Sequence, residues 1–298
     1  MQPISDPAPG PVGPAVPPSL RARTFVCMGT VVSLTVPAGP GACSADVDRL
    51  EAATAVVEDQ FEALDARFSL FKPNSEASRV SRGELSLMEA SPLMRDLYAD
   101  AVRWRRRTDG AFTPERPDGL LDLSGLVKGY AIGEAGRSLV ALGLTDWCLN
   151  AGGDVLVSGS PAPSSGERKP WLAGIVDPAD RRTLLGAYPL GPGAPREVVS
   201  PQLALATSGS AERGDHIWTV GVRGPGAQGP AGARRPEFAQ VSVAASDIVT
   251  ADVLATAIVA GGRSTLDAVA SRWDVDVLAV AHDGALVATP GFRAPSAA

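Results

Sequence analysis

Apolar residues in the first half of the chain recur at three- and four-residue steps, as they do on one face of a helix. Between positions 45 and 68 they stand at Val47, Leu50, Val57, Phe61, Leu64 and Phe68. This spacing predicts a helix over residues 45–68 with Ser44 as its N-cap. Another helix is predicted to open with Ser91 and Pro92 and to end before Gly110.

Short apolar and β-branched runs between clusters of Gly, Pro and Ser predict strands. The first covers residues 24–36, and the later ones cover residues 147–150, 155–158, 171–177, 184–190, 203–206, 216–220, 240–245, 275–281 and 285–288. Further helices are predicted over residues 128–142, 250–260 and 264–272. Helices and strands therefore mix without a regular βαβ repeat, which predicts an α+β fold with mixed sheets and flanking helices.

The two ends of the chain lack the residues that build a core. Residues 1–22 hold seven prolines and few large apolar side chains. Burial there cannot offset the entropy lost on ordering, so a disordered tail is predicted. Residues 291–298 are predicted to form a flexible C-terminus, which leaves residues 23–290 as the folded body.

The charge balance narrows the classes of partner. The net charge is −6 and the pI is about 5.1, which argues against nucleic acid, because that partner needs a basic face. Three cysteines without a CxxC pair favour a reducing compartment. No apolar stretch of about 18 residues suggests a membrane span, and the N-terminus lacks the pattern of a signal peptide. We therefore expect a cytoplasmic protein without a membrane span.

Asp252 and Thr256 lie four residues apart in an otherwise apolar predicted helix. That spacing puts a carboxylate and a hydroxyl on one helix face, about one turn apart. Together they are hard-oxygen ligands of the kind that Mg²⁺ takes, with water or phosphate in the remaining positions. The alternative is structural, with Asp252 as a first-turn acid and Thr256 as a packing residue.

A second candidate is the turn between Asp122 and Lys128, where an apolar run meets an Ala-rich helix. Backbone N–H groups, carbonyls and a cation in one small volume suit a phosphate and its metal. Lys128 can neutralise a pyrophosphate, and Asp122 can accept a hydrogen bond from a ligand or brace the loop. In the structural alternative, Asp122 binds turn amides and Lys128 is a solvated residue at a helix start.

Three other segments allow both a functional and a structural interpretation. Thr207 and Ser208 offer hydroxyls to a phosphate or stabilise a turn. Asp154 follows a Gly-Gly turn and either serves the site or braces it. Met28 and Phe71 are apolar, and core packing alone would explain them.

Five short motifs follow one another along the chain. They are Met28-Gly29-Thr30, Asp109-Gly110-Ala111-Phe112-Thr113-Pro114, residues 121–131, Asn150-Ala151-Gly152-Gly153-Asp154 and Ala206-Thr207-Ser208-Gly209, with Asp252 and Thr256 after them. In that order they resemble the FAD:protein FMN transferase (ApbE) family, from about residue 24 to about residue 262. The resemblance implies two intimate lobes with a flavin cleft between them. It also implies magnesium-dependent transfer of FMN from FAD to a threonine hydroxyl of an acceptor flavoprotein, with release of AMP.

The resemblance implies roles for individual residues. Asp252, Thr256 and a backbone oxygen in the turn at Gly125 would bind the metal, and Asp252 and His216 would be catalytic. FAD would contact Met28, Phe71, Ala111, Phe112, Thr113, Asp122, Lys128, Thr207, Ser208, His216 and Ile217. Phe71 stands where tyrosine is common, which keeps a stacking ring, and Thr113 replaces an aspartate, which weakens a hydrogen bond there.

Other functions share this site chemistry. A pyrophosphatase would use water in place of the acceptor and split FAD into FMN and AMP. A non-catalytic protein would bind FAD without cleaving it. Product analysis with FAD, magnesium and an acceptor separates both from the transferase.

Overall fold

Ten strands and six helices make up the computed structural model, which describes residues 19–39, 44–116, 118–162, 168–194, 201–209 and 236–293. The strands are β1 (Ser19–Cys27), β2 (Thr30–Ala38), β3 (Trp147–Ala151), β4 (Asp154–Ser158), β5 (Trp171–Val176), β6 (Leu184–Leu190), β7 (Ala204–Gly209), β8 (Phe238–Ala245), β9 (Asp276–Ala281) and β10 (Leu286–Ala288). The helices are α1 (Ser44–Phe68), α2 (Glu76–Ser81), α3 (Pro92–Arg107), α4 (Ser124–Ala141), α5 (Ile248–Arg272) and α6 (Pro290–Arg293).

The predicted α+β class is confirmed, with the strands in two sheets. Eight strands form one sheet in the order β1-β2-β3-β4-β7-β8-β9-β10, and β5 pairs with β6 in the other. Every strand pairing in the described residues is antiparallel, whereas mixed sheets were predicted. Short connections account for part of the difference, because two-residue turns join β1 to β2 and β3 to β4, and only antiparallel strands can be joined so tightly.

The first of these hairpins corrects the prediction of one strand over residues 24–36. Cys27 pairs with Thr30, and the chain reverses at Met28 and Gly29 between them. Met28 has φ 51° and Gly29 has φ 72°, as a type I′ hairpin turn requires at both central positions. A methionine is unusual there, so the β-branched run concealed the turn.

Two apolar layers lie on opposite faces of the large sheet. On one face, α1, α4 and α5 bury residues such as Phe61, Ile132 and Leu254 against β1, β2, β3, β7 and β8. On the other face, the β5–β6 hairpin packs Trp171 and Tyr188 against β4 and β7. The alternating burial along β5 follows from the two-residue period of a strand.

The helices agree with the predicted periodicity, but three of them begin earlier than predicted. Helix α1 begins at Ser44, which is therefore its first residue and not its N-cap. The Ser91 hydroxyl caps α3 by accepting from the Met94 N–H at 3.3 Å, as predicted. Helix α4 begins at Ser124, not at residue 128. Helix α5 begins at Ile248 and runs through both predicted helices, with a kink at Gly262 (φ 68°), where the left-handed backbone favours glycine.

Both predicted chain ends extend too far into the fold. Ser19 to Ala22 pair with β2, so the structured part begins before residue 23. Residues 291–293 belong to α6, where Phe292 packs against Tyr188. The rest of both predicted tails, residues 1–18 and 294–298, lies outside the described residues, as does the predicted strand over residues 216–220.

Helix α5 is the one helix, within the described ranges, with the length and apolar composition to cross a membrane. Half of its most apolar window is buried inside the protein, and it packs against α4, β7 and β8. Core helices of folded domains share that composition, so it is weak support for a span.

Candidate active site

A cavity of about 1080 Å³ opens among six parts of the chain. These are the β1–β2 turn, the end of α1 with the segment that follows it, the segment before α4, the start of α4, the end of β7, and the first half of α5. Twelve of the fourteen predicted site residues can be located there. They are Met28, Phe71, Ala111, Phe112, Thr113, Asp122, Gly125, Lys128, Thr207, Ser208, Asp252 and Thr256. The other two, His216 and Ile217, lie outside the described residues.

We call Gly125, Lys128, Ser208, Asp252 and Thr256 the polar part of the lining. Asp252 and Thr256 follow one another by one turn on α5, as predicted. The Ser208 and Thr256 hydroxyl oxygens are 3.1 Å apart. Asp252 is only 3% exposed, and its Oδ2 accepts from the Gly129 N–H at 3.0 Å. Helix α4, helix α5 and strand β7 therefore meet through hydrogen bonds in this part of the cavity.

Glycines allow α4 to approach α5 this closely. A Cβ at Gly129 would stand 3.1 Å from the Asp252 Oδ2 and 3.3 Å from the Val249 Cα. A Cβ at Gly125 would stand 3.2 Å from the Phe112 ring and 3.8 Å from the Thr256 methyl. The backbone of Gly125 is thus a neighbour of Thr256, which agrees with its predicted place beside the metal ligands.

The donor set fits Mg²⁺. Among the described residues, no three His, Cys, Asp or Glu side chains cluster as metal ligands, so a purely carboxylate or imidazole site is absent there. Asp252 offers a carboxylate, Thr256 and Ser208 offer hydroxyls, and Gly125 lines the same cavity beside Thr256. Mg²⁺ is usually bound by one or two carboxylates and completed by water and substrate phosphate.

Lys128 and Asp154 form an ion pair beside these groups. The Lys128 ammonium contacts the Asp154 Oδ2, and Asp154 is fully buried. The second carboxylate oxygen, Oδ1, accepts from the Thr207 N–H at 3.0 Å. Asp154 therefore braces the site. Lys128 lines the cavity, but it is not the solvated lysine of the structural alternative.

The Gly-Gly turn explains how Asp154 reaches this position. Gly152 has φ 62°, and a side chain there would collide with the Thr30 hydroxyl of the β1–β2 hairpin. The Gly153 N–H donates to the Asn150 Oδ1 at 2.9 Å. The turn therefore packs closely against Thr30 and is closed by a hydrogen bond to Asn150. Strand β4 begins directly after it, with Asp154 buried in the interior.

Asp122 braces the loop, as one of its two predicted roles required, and it also lines the cavity. Its Oδ1 accepts from the Ser124 N–H at 2.8 Å, and its own N–H donates to the Pro114 carbonyl at 2.7 Å. The first contact satisfies an N–H at the start of α4, where Leu123 provides no side-chain cap. This support from Asp122 explains why α4 begins four residues earlier than predicted.

The loop before this turn is stabilised by hydrogen bonds between its own residues and those next to it. Phe112 is buried, and its N–H donates to the Thr108 hydroxyl at 3.1 Å. The Thr113 hydroxyl accepts from the Glu115 N–H at 3.2 Å, so it stabilises the loop. Ala111 and Thr113 remain partly exposed at the cavity.

We call Met28, Leu64, Phe68, Leu70 and Phe71 the apolar part of the lining. Phe71 is 87% exposed, which excludes its structural alternative as a core residue. Met28 is partly buried against the main core and has the left-handed backbone described above. A flat apolar ligand would cover such side chains, because exposed aromatic rings bury much area on stacking.

The sequence analysis missed a set of basic residues in the lining, Lys72, Arg82 and Arg116. Hydrogen bonding to Asp65 raises the pKa of Lys72, and hydrogen bonding to Glu84 raises the pKa of Arg82. Arg116 pairs with Asp118 at 3.3 Å. No spacing pattern connects these residues, so only the fold brings them to one cavity.

Comparison with known proteins places this geometry in context. The model of the ApbE family matches residues 28–116 and 113–279. The FAD:protein FMN transferase of Rhodobacter capsulatus is 33% identical over 221 residues, which cover 74% of this chain and 38% of that protein. The chain thus spans well under half the length of this curated relative.

Two solved structures share the fold. The ApbE protein of Thermotoga maritima is 19% identical, with a TM-score of 0.69 over 92% of this chain and 98% of that one. Flavin transferase ApbE from Vibrio cholerae is 21% identical, with a TM-score of 0.64 over 93% of this chain and 99% of that one. At these identities the likeness concerns the α+β architecture.

Proposed function

The chain belongs to the ApbE family, and on this premise we propose that it transfers FMN from FAD to a threonine hydroxyl of an acceptor protein and releases AMP. The name of the Rhodobacter capsulatus relative supports this activity. The observation that carries the proposal is one cavity in which an apolar part with an exposed ring adjoins a polar part with Asp252 and Thr256.

The size and chemistry of the cavity suit a dinucleotide. Its volume of about 1080 Å³ is slightly above the roughly 300–1,000 Å³ found for small-molecule sites. The isoalloxazine ring would stack on Phe71 beside Met28, and the pyrophosphate would lie near Lys128 and Ser208. FAD joins a flat isoalloxazine ring to a doubly charged pyrophosphate, so it matches both parts of the lining.

We propose that Mg²⁺ is held by Asp252, Thr256 and the backbone oxygen of Gly125. When bound, the ion would supply positive charge that stabilises the charge developing on the phosphate oxygens. Lys128 would add a cation to the same group. The Gly129 N–H fixes the Asp252 carboxylate before any ligand arrives, which reduces the reorganisation that binding requires.

The proposed reaction balances with FAD and the acceptor alone. The threonine Oγ forms a bond to the FMN phosphorus, and the bond from that phosphorus to the bridging oxygen breaks. AMP leaves with the bridging oxygen, and the hydroxyl proton passes to a base. Asp252 and His216 are the candidates for that base, and Asp252 is the one with a described position in the cavity.

We also propose that the protein works in the cytoplasm. The uneven number of cysteines and the raised pKa of the Cys27 and Cys148 thiols, due mainly to desolvation, suit unreactive thiols in a reducing compartment. Cell fractionation with an antibody to the native chain tests this. Recovery in the envelope fraction would contradict it.

The proposed activity is tested with purified full-length chain, FAD, Mg²⁺ and a candidate acceptor flavoprotein domain. Flavin fluorescence on the acceptor in a denaturing gel, with AMP released in equal amount, is the expected result. An acceptor with its threonine replaced by valine is the matched control and should stay dark. AMP without labelled acceptor would indicate a pyrophosphatase, and FAD binding without AMP would indicate a binding protein.

A pair of enzyme variants sharpens the same assay. Thr256→Val keeps the shape of the side chain and removes the hydroxyl, so it should lose activity. Thr256→Ser keeps the hydroxyl and should retain most of the activity. Equal activity in both variants would remove Thr256 from the proposed magnesium site.

A further inference from the structure

We propose that Asp154 is a positioning residue that sets both members of the Asp252–Thr256 pair through their neighbours. The proposal rests on the function proposed above. Asp154 is fully buried at the start of β4 and is not among the residues that line the cavity. It therefore acts on a ligand only through other residues, and its two carboxylate oxygens identify which ones.

The first oxygen acts through α4. Asp154 Oδ2 holds the Lys128 ammonium, and the next residue along the chain, Gly129, donates its N–H to Asp252 at 3.0 Å. A buried ammonium needs a paired carboxylate to remain charged. Asp154 thus fixes the Lys128 side chain and, through the same turn of helix, the N–H that holds Asp252.

The second oxygen acts through β7. Asp154 Oδ1 accepts from the Thr207 N–H at 3.0 Å, and the next residue, Ser208, contacts the Thr256 hydroxyl at 3.1 Å. The two partners of the buried Asp154 carboxylate, Lys128 and Thr207, are therefore the direct chain neighbours of the residues that contact Asp252 and Thr256. Displacing that carboxylate would move α4 and β7 independently, and a shift of about 1 Å at reacting groups can lower a rate about a hundredfold.

A double-mutant cycle separates positioning from a general loss of stability. Asp154→Asn keeps an oxygen for the Thr207 N–H and removes the charge that holds Lys128. Lys128→Met keeps the aliphatic volume and removes the ammonium. If Asp154 acts through Lys128, each single variant lowers the rate of AMP release at least tenfold, and Asp154→Asn changes it less than twofold in the Lys128→Met background.

Asp276→Asn is the matched control. Asp276 is also buried and also hydrogen-bonded, to Tyr188 and Thr289, but it does not line the cavity. We expect this variant to unfold at a lower temperature and to keep the wild-type rate of AMP release per folded molecule. Asp154→Asn is expected to do the opposite: it should lower the rate of AMP release more than it lowers the unfolding temperature.

The second oxygen is tested in the Lys128→Met background. Asp154→Ala should lower the rate at least threefold below Asp154→Asn there, because only alanine leaves the Thr207 N–H without its acceptor. Equal rates would limit the positioning role to Lys128.

We would measure FAD affinity as well as the rate of AMP release for every variant of the double-mutant cycle. Wild-type chain that binds FAD without releasing AMP would refute the proposed transferase, and non-additive losses of FAD affinity would still support the positioning role. Losses that multiply in the double variant, about a hundredfold from two tenfold steps, would overturn the positioning role. Rates per folded molecule equal to wild type in Asp154→Asn would overturn it too.

Discussion

The polar and apolar parts of the cavity are built in opposite ways. Asp252 and Lys128 are buried and held by neighbours on α4 and β4. Phe71 is almost fully exposed, and Met28 lies in a left-handed turn that methionine rarely adopts. The polar part is therefore organised before a ligand binds, while the apolar part leaves surface for the ligand to cover. Charged groups need fixed partners, and a flat ring needs only open apolar area.

The largest effect is expected where the polar part loses its carboxylate. Asp252→Ala should lower the rate of AMP release at least a thousandfold, because it removes the one charged metal ligand predicted on α5. It also leaves the Gly129 N–H without an acceptor, at a cost of about 1–3 kcal/mol in unfolding free energy. AMP release measured by chromatography and unfolding measured by denaturant titration check the two effects.

Asp247→Ala is the control on the same helix. Asp247 caps α5 by accepting from the Thr250 N–H at 2.8 Å, and it does not line the cavity. Its loss should cost about 1 kcal/mol of stability without a change in rate. Wild-type AMP release by Asp252→Ala at low magnesium would contradict the metal assignment.

A smaller effect is expected from closing the gap between α4 and α5. In Gly129→Ala, the new Cβ would stand 3.1 Å from Asp252 Oδ2 and 3.3 Å from backbone at Val249. We expect the rate of AMP release to fall about tenfold to a hundredfold as Asp252 shifts, with about 1–3 kcal/mol lost in unfolding free energy.

Gly133, one turn further along α4, offers a matched comparison. A Cβ there meets only Ile248, at an ordinary 3.6 Å. Gly133→Ala should therefore raise the unfolding free energy by about 0.5–1 kcal/mol, since alanine favours helix, and leave the rate unchanged. Similar rates for both variants would show that the close approach at Gly129 is not needed for function.

The smallest effect is expected in the apolar part, where stability and binding should separate. Asn favours the first central position of a type I′ turn, so Met28→Asn should unfold at the same temperature as wild type or slightly higher. It should weaken FAD binding about threefold to tenfold, because the methionine side chain no longer contacts the flavin. Thermal unfolding and a flavin fluorescence titration are the two measurements. Lower stability with unchanged FAD affinity would show that Met28 stabilises the fold and does not contact the flavin.

The sequence predicts the polar part better than the supports around it. Asp252 and Thr256 are four residues apart on one helix, so local spacing makes the pair a candidate, and the family resemblance implies that it binds a metal. Lys128 and Asp154 are 26 residues apart and meet only after β3 and β4 form, so no local pattern reveals their ion pair. Arg82 and Arg116 were missed for the same reason.

The fold shows the same division between local and distant signals. Helical periodicity located α1 and α3, because their apolar residues repeat every three to four positions. The β1–β2 turn was hidden because Met28 stands where asparagine or glycine would signal a hairpin. The early start of α4 depends on the Asp122 carboxylate. From the sequence, that side chain could equally contact a ligand or brace the loop, so the helix start could not be predicted from it.

The central claim is that the polar part binds the pyrophosphate and the apolar part binds the flavin ring. Fluorescence titration of FAD and of riboflavin, which lacks phosphate, tests it directly in Lys128→Met and Phe71→Ala. Lys128→Met should weaken FAD at least tenfold and leave riboflavin within twofold of wild type. Phe71→Ala should weaken both ligands by a similar factor, about threefold to tenfold for one aromatic contact. Equal losses of both ligands in Lys128→Met, or a loss confined to FAD in Phe71→Ala, would contradict the account.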